Sequence, residues 1–119
     1  MFDVELYELP NGEIPVESFI NSLSSKMRQK AIGSIEILSE YGNTMREPYS
    51  KAIGKGLFEL RIKFGGDISR IFYFFVVGNK IILTNGFIKK TDKIPTREIA
   101  LARKYKEDYE RRASENEKL

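Results

Sequence analysis

Apolar and charged side chains alternate along Leu57–Phe64, and this pattern constrains the fold more than any other feature of the chain. The apolar set is Phe58, Leu60, Ile62 and Phe64, and the charged set is Glu59, Arg61 and Lys63. A period of two residues is typical of a β-strand with one buried face. The Gly-Gly-Asp sequence at 65–67 provides the backbone freedom that a tight hairpin turn requires. The stretch therefore predicts a strand that turns back directly onto the next segment.

Two more apolar segments follow this turn. Ser69–Val77 is dense in aromatic and β-branched residues and contains one cation, Arg70. Gly78 and Asn79 then predict a second turn, and Lys80–Ile88 is a third apolar segment. We therefore predict three consecutive antiparallel strands between positions 57 and 88.

The first part of the chain predicts one strand and two helices. Phe2–Leu9 begins with an alternating pattern, so we expect a strand that pairs with the later sheet. A short helix is predicted over Val16–Leu23, after a proline that suits a helix start. Ser24 or Ser25 can cap a second helix, which has apolar residues at helical spacing as far as about Tyr41. We interpret the two helices as a layer packed on the sheet.

The remaining segments complete the predicted order β-α-α-β-β-β-α. Thr44–Lys55 is interrupted by proline and glycine and is interpreted as a connection, either a solvated linker or a loop that adds cations beside the sheet. Thr96 is a good N-cap for a C-terminal helix. This order predicts an α+β fold, with two N-terminal helices packed on an antiparallel or mixed four-stranded sheet and a C-terminal helix. We expect a single domain spanning residues 1–119.

Composition narrows the chemistry. The chain has no cysteine, which excludes disulfides and thiolate metal sites, and no histidine, the usual general base and metal ligand. We therefore expect no metal and no cofactor. No apolar run approaches the roughly 20 residues of a membrane span, and the acidic N-terminus does not resemble a signal peptide. We expect a cytoplasmic protein that does not bind membranes.

Positive charge is concentrated in the predicted sheet. Positions 56–97 contain eight lysines and arginines against three acidic residues, a surplus of five, whereas the net charge of the whole chain is +3. The cations on or at the ends of adjacent predicted strands are Arg61, Arg70, Lys89 and Lys90. We expect them to converge on one face of the sheet, which indicates a surface for a polyanion.

Three motifs in this region occur together in a known group of proteins. They are Lys55-Gly-Leu-Phe-Glu-Leu-Arg61, Arg70-Ile-Phe-Tyr73, and Gly86-Phe-Ile-Lys-Lys-Thr91 followed by Pro95, Glu98-Ile99 and Ala102. With these motifs, residues 49–102 resemble the RelE/ParE toxin superfamily, specifically the HigB-like, phage-derived branch of type II toxin–antitoxin systems. The resemblance implies a RelE-like fold and a ribonuclease that cuts mRNA in the ribosomal A site and so inhibits translation. It also implies a cognate HigA-like, helix-turn-helix antitoxin.

The resemblance also implies roles for individual residues. Arg61 and Arg70 match the family's phosphate-contacting arginines, and Lys89 and Lys90 match the basic pair after the last strand. Lys51 and Lys55 lie where relatives place further lysines that contact RNA. Several relatives have a histidine or tyrosine near the end of the last strand as an acid, and this chain has neither at that point.

Cleavage through the RNA 2′-hydroxyl requires a base, a group that stabilises the charged phosphorane, and an acid. Two arginines can hold the phosphate, and Lys89 or Lys90, crowded by other cations, can take part in a proton transfer. Glu59 is either a base or an ion-pair partner of Arg61. Tyr49 and Tyr73 are candidates for stacking on an RNA base or for donating a proton.

Two other functions remain open from the sequence. A ParE-like relative of the same fold would inhibit DNA gyrase without cutting RNA. A non-catalytic module would bind RNA or a protein partner through the same basic surface.

Overall fold

The structure of the protein is a computed structural model, which describes residues 1–89 and 94–117. Its strands are β1 (Asp3–Leu6), β2 (Ser50–Gly54), β3 (Leu57–Phe64), β4 (Asp67–Val76) and β5 (Lys80–Lys89). Its helices are α1 (Pro15–Ser22), α2 (Ser25–Tyr41) and α3 (Thr96–Glu117), with a short 3-10 turn, Gly42–Thr44, after α2. The predicted site residue Lys90 lies outside the described residues.

The five strands form one mixed sheet in the order β1-β5-β4-β3-β2. Strands β2 to β5 are antiparallel neighbours, whereas β1 pairs in parallel with β5, from Asp3 opposite Lys80 to Leu6 opposite Leu83. The α+β class is confirmed, but the predicted count of four strands is wrong. The segment interpreted as a connection contains β2, because the backbone of Ser50–Gly54 pairs with β3 as an edge strand.

Local sequence explains where the predicted elements begin and turn. The side chain of Ser24 accepts a hydrogen bond from the backbone N–H of Met27 and caps α2, and Pro15 is the first residue of α1. Phe64 pairs with Asp67, so Gly65 and Gly66 form a two-residue turn, and Gly65 has a φ of 61°. Only a residue that tolerates positive φ makes this turn without strain.

The sheet is covered on both faces. The helix-hairpin face packs against α1 and α2, and its core includes Leu60, Ile62 and Tyr73 together with Met27 and Leu38. The opposite face, called the α3 face here, packs against α3 through a smaller cluster: Leu57, Phe72, Phe87 and Ala102. Because strand residues alternate between faces, the charged residues of β3 share the α3 face with Leu57.

A bulge in β5 fixes the start of α3. Ile71 of β4 pairs with Gly86 and Tyr73 pairs with Leu83, so β5 has one extra residue at this point. There the buried amide of Asn85 donates hydrogen bonds of 3.2 Å to the backbone carbonyl and to the carboxylate of Glu98. These bonds hold the first turn of α3 beside the end of β5.

The second half of α3 is joined to the beginning of the chain. The hydroxyl of Tyr7 donates to Asp108 at 2.5 Å, and the hydroxyl of Tyr109 donates to Glu5 at 3.0 Å. Tyr7 also stacks on the ring of Tyr105. Among the described residues, no helix is long and apolar enough to cross a membrane.

Candidate nucleic-acid interface

Arg61 and Arg70 lie opposite each other on neighbouring strands. The antiparallel register of β3 and β4 pairs these two residues directly, and both side chains lie on the α3 face. Side chains at such positions have Cβ atoms about 5 Å apart, and like charges directly opposite destabilise a sheet. The arrangement therefore requires an anion, from the protein or from a ligand.

Glu59 supplies that anion from within the protein. Its carboxylate oxygen Oε1 forms ion pairs with Nε of Arg61, at 3.1 Å, and with Nη1 of Arg70. The side chain of Glu59 is completely buried, which favours the ion-pair role over the role of a solvent-accessible base. Two guanidinium groups and one carboxylate leave this cluster, called the Arg–Glu–Arg cluster here, with one net positive charge.

The two arginines differ in their access to solvent. Arg70 is 2% exposed, and burial lowers the pKa of its guanidinium below its ordinary value. The side chain of Arg61 is 23% exposed and reaches the surface. In the described part of the chain, Nε of Arg70 and Oε2 of Glu59 have no hydrogen-bond partner. Arg61 is thus the arginine that a phosphate from solvent can contact directly, whereas Arg70 is buried beneath it.

Further cations surround the cluster on the same face. Lys51 of β2 pairs in register with Glu59, and Ile68 of β4 pairs with both Lys63 and Lys89. Lys51 therefore lies in the row of Glu59, and Lys63 and Lys89 lie in the row next to Arg61 and Arg70. The set Lys51, Arg61, Lys63 and Lys89 forms a basic surface around the buried Arg70.

The structure brings together some of the predicted site residues and separates others. Arg61, Arg70, Lys89 and Lys51 share one face, whereas Lys55 lies in the turn before β3, six residues from Arg61 and roughly 20 Å away along the strand. Tyr73 is buried on the helix-hairpin face, where its hydroxyl is bonded to Ser50. The prediction that Tyr73 stacks on an RNA base does not fit this position, and its aromatic ring belongs to the core.

Tyr49 is exposed, but it lies beside a different feature. It lines a cavity of about 510 Å³ between α2 and the edge of β3, together with Ile37, Tyr41 and Arg46. Sequence reasoning missed this cavity because the apolar stripe of α2 was assigned wholly to the core. The available signal was that Ile37 and Tyr41 extend this stripe onto the flank of the helix.

A metal ion has no evident site in the residues that the structure describes. No three acidic side chains there come close enough together to hold one, and the sequence contains no histidine or cysteine. Arginine and lysine offer no lone pair to a metal while they are charged. The groups available for chemistry at the basic surface are therefore cationic donors.

The fold and the site define a small α+β protein with a cationic sheet face built around two arginines. Over residues 18–107 the sequence matches the family described as "Phage derived protein Gp49-like (DUF891)", so the chain belongs to this phage-derived, RelE-toxin-like family. A search of curated proteins found no match to the sequence.

Proposed function

We propose that this protein is the toxin of a type II toxin–antitoxin pair, of the HigB-like branch, and that it cleaves mRNA on the ribosome. The observation that carries the proposal is the placement of Arg61 and Arg70 directly opposite each other on a face lined by further lysines. The proposed place of action is the cytoplasm, where translating ribosomes are found. The proposed partners are mRNA, the ribosome and a helix-turn-helix antitoxin.

The proposed reaction is attack of an RNA 2′-oxygen on the adjacent phosphorus. The 2′-hydroxyl loses a proton, the bond from the phosphorus to the 5′-oxygen breaks, and that oxygen gains a proton. The products are a 2′,3′-cyclic phosphate and a 5′-hydroxyl. The guanidinium of Arg61 binds the phosphate oxygens, on which negative charge increases in the transition state. Arg70 adds positive charge beneath it, in an orientation held by Glu59.

Lys89 and Lys90 are the proposed groups for proton transfer. Lys89 ends β5 in the row next to Arg70, on the same face of the sheet. Nearby positive charge favours the neutral form of a lysine, which can then accept a proton. Because no histidine is present, we propose that the ribosome supplies much of the rate by holding the RNA in a reactive geometry.

The test is cleavage of a defined mRNA on programmed ribosomes, with the same RNA free in solution alongside. We expect cuts at the A-site codon only, and a rate about 100-fold lower for Arg61→Ala, because a donor to the transition-state phosphate is lost. The matched control is Lys104→Ala, which removes an exposed cation from α3 and should leave the rate unchanged. Thermal unfolding of each variant shows whether the fold is intact.

Two results would reject the proposal. The first is a folded Arg61→Ala variant that cuts as fast as the unchanged protein. The second is growth arrest without cleavage in either RNA format, and a DNA supercoiling assay with gyrase would then test the ParE-like alternative. Binding of RNA without cleavage and without growth arrest would identify the non-catalytic module.

A further inference from the structure

An open groove runs along the flank of α2, on the side next to the free edge of β3. The cavity between α2 and β3 has an apolar lining formed by Ile37, Tyr41, Met45, Tyr49 and Leu60. A second hollow continues along the same flank, where Lys26 and Lys30 face Phe64. Lys30 lines both hollows, and we call the two together the α2 groove.

Helical spacing explains why the groove follows α2. Lys26, Lys30, Ser34, Ile37 and Tyr41 are separated by four, four, three and four residues, which places them in one stripe. This stripe lies beside the core-facing side of α2, which carries Met27, Ala31 and Leu38. Ile37 is 49% exposed although it is a large apolar residue, and Tyr41 and Tyr49 are exposed as well. The apolar side of the groove is therefore left uncovered.

Charge in the groove has one sign. The cations that line it are Lys26, Lys30, Arg46 and Arg61, and no acidic side chain is among the lining residues. An occupant that complements this lining carries both large apolar side chains and negative charge.

The sheet edge beside the groove favours a protein over a nucleic acid. Strand β2 pairs with β3 only as far as Leu60, and the backbone N–H of Arg61 donates to Tyr49. Residues 62–64 extend beyond Ser50, the first residue of β2, so in the described part of the chain their backbone forms an edge of the sheet. Backbone groups at such an edge pair with another peptide backbone. Ile37 and Met45 also offer aliphatic contacts, which suit apolar side chains better than the planar bases of RNA.

We propose that the α2 groove binds an acidic segment of a partner protein, with large apolar side chains of that segment seated against Ile37, Tyr41 and Tyr49. The proposal relies on the proposed function only for the identity of the partner, which would be the antitoxin. Arg61 lines the groove and also belongs to the Arg–Glu–Arg cluster. A segment bound in the groove therefore lies beside the Arg61 position of β3, whose side chain is on the α3 face.

The test uses a phage-displayed library of random 16-residue peptides, selected on the full-length protein after depletion on Ile37→Glu. We expect the enriched peptides to be acidic and to contain leucine, isoleucine or phenylalanine. Their dissociation constants should rise at least tenfold for Ile37→Glu and for Ile37→Ala. The second variant adds no charge, so it measures the apolar contact alone.

The matched control is Ile32→Glu. Ile32 is also on α2 and is 45% exposed, but it lies outside the α2 groove. This variant should bind the enriched peptides as the unchanged protein does. Both isoleucines are exposed, so neither change is expected to unfold the protein, and thermal unfolding checks this.

Several results would overturn the proposal. They are the absence of enriched peptides, enriched peptides without net negative charge, or equal loss of binding in Ile32→Glu and Ile37→Glu. A single-stranded 12-nucleotide RNA provides the last comparison: weaker RNA binding by Ile37→Ala, with unchanged peptide binding, would make the groove a nucleic-acid site. None of these measurements depends on RNA cleavage, so a failure of the proposed ribonuclease activity remains distinguishable.

Discussion

At the scale of single residues, the carboxylate of Glu59 determines how the two arginines are arranged. It is buried on the α3 face and contacts both guanidinium groups through one oxygen. Burying charges is costly, and removal of one partner leaves an uncompensated charge in the interior. Glu59 therefore acts as the internal counter-ion that allows two like charges to occupy opposite positions on adjacent strands.

A comparison of single and double substitutions tests this arrangement. Glu59→Ala should lower the free energy of unfolding by about 3–5 kcal/mol, because it leaves Arg70 buried without its counter-ion. The double variant Glu59→Leu with Arg70→Met removes both buried charges and should recover most of that loss. Urea unfolding measures both changes. A double variant that is less stable than Glu59→Ala would contradict the assigned role.

The alternating pattern of β3 was enough to predict that Arg61 points away from the helix hairpin. The burial of Arg70 was not predictable in the same way, because it depends on the register between β3 and β4 and on the position of Phe72 and Phe87 beside it. A cation in an apolar strand looks like a surface residue until its counter-ion is known. That counter-ion, Glu59, lies eleven positions earlier in the chain.

At the scale of elements, short edge strands were the weakest part of the sequence prediction. Strand β2 has five residues, contains a glycine and follows Pro48, so its local pattern resembles a loop. Its pairing with β3 makes it a strand, and that partner lies outside any local window. The long alternation of β3 and the capped helix α2 were predictable because their signals are local.

Substitution by alanine should change the stability in opposite directions at two glycines in different elements. Gly33 lies inside α2 with open space around its Cα, so Gly33→Ala should stabilise the protein by roughly 0.5–1 kcal/mol. A Cβ at Gly86 of β5 would overlap the ring of Phe19 in α1, so Gly86→Ala should cost about 1–3 kcal/mol. Thermal and urea unfolding compare the two variants. Stabilisation by Gly86→Ala would mean that α1 does not pack this closely on β5.

At the scale of the whole molecule, α3 connects the end of the described chain to its beginning. Asp108 accepts a hydrogen bond from Tyr7 and forms an ion pair with Arg112. Arg112 also donates a hydrogen bond to the backbone carbonyl of Glu8. The hydrogen bond from Tyr7 is the main reason why the pKa of Asp108 lies below its usual range. Burial, followed by the hydrogen bond to Asp108, raises the pKa of Tyr7 to about 12.

These pKa shifts predict a stability plateau with two limits. A carboxylate with a lowered pKa stabilises the fold above its unfolded pKa of about 4, and this contribution is lost as the pH falls. A tyrosine with a raised pKa stabilises the fold below its unfolded pKa of about 10, and its contribution is lost as the pH rises towards 12. The Tyr7–Asp108 pair should therefore contribute fully between about pH 4 and pH 10.

Tyr7→Phe isolates the alkaline limit. The variant should be less stable than the unchanged protein by about 0.5–1.5 kcal/mol at pH 8, the usual contribution of one hydrogen bond. The difference should shrink above pH 10, because the unchanged protein then loses the contribution of Tyr7. Urea unfolding at pH 8, 10, 11 and 12 measures it. A difference that stays constant over this range would contradict the assignment.

The parallel pairing of β1 with β5 also determines how late in synthesis the sheet can be completed. Asp3 pairs with Lys80, and 77 positions separate them along the chain. At synthesis rates of 5–20 residues per second, β1 waits about 4–15 s for its partner strand to be made. Arg61 and Arg70 are made earlier, but the last contacts that order their sheet and fix α3 come from residues made late. The sheet that carries Arg61 and Arg70 is therefore complete only after Lys80 and the β5 residues that follow it have been made.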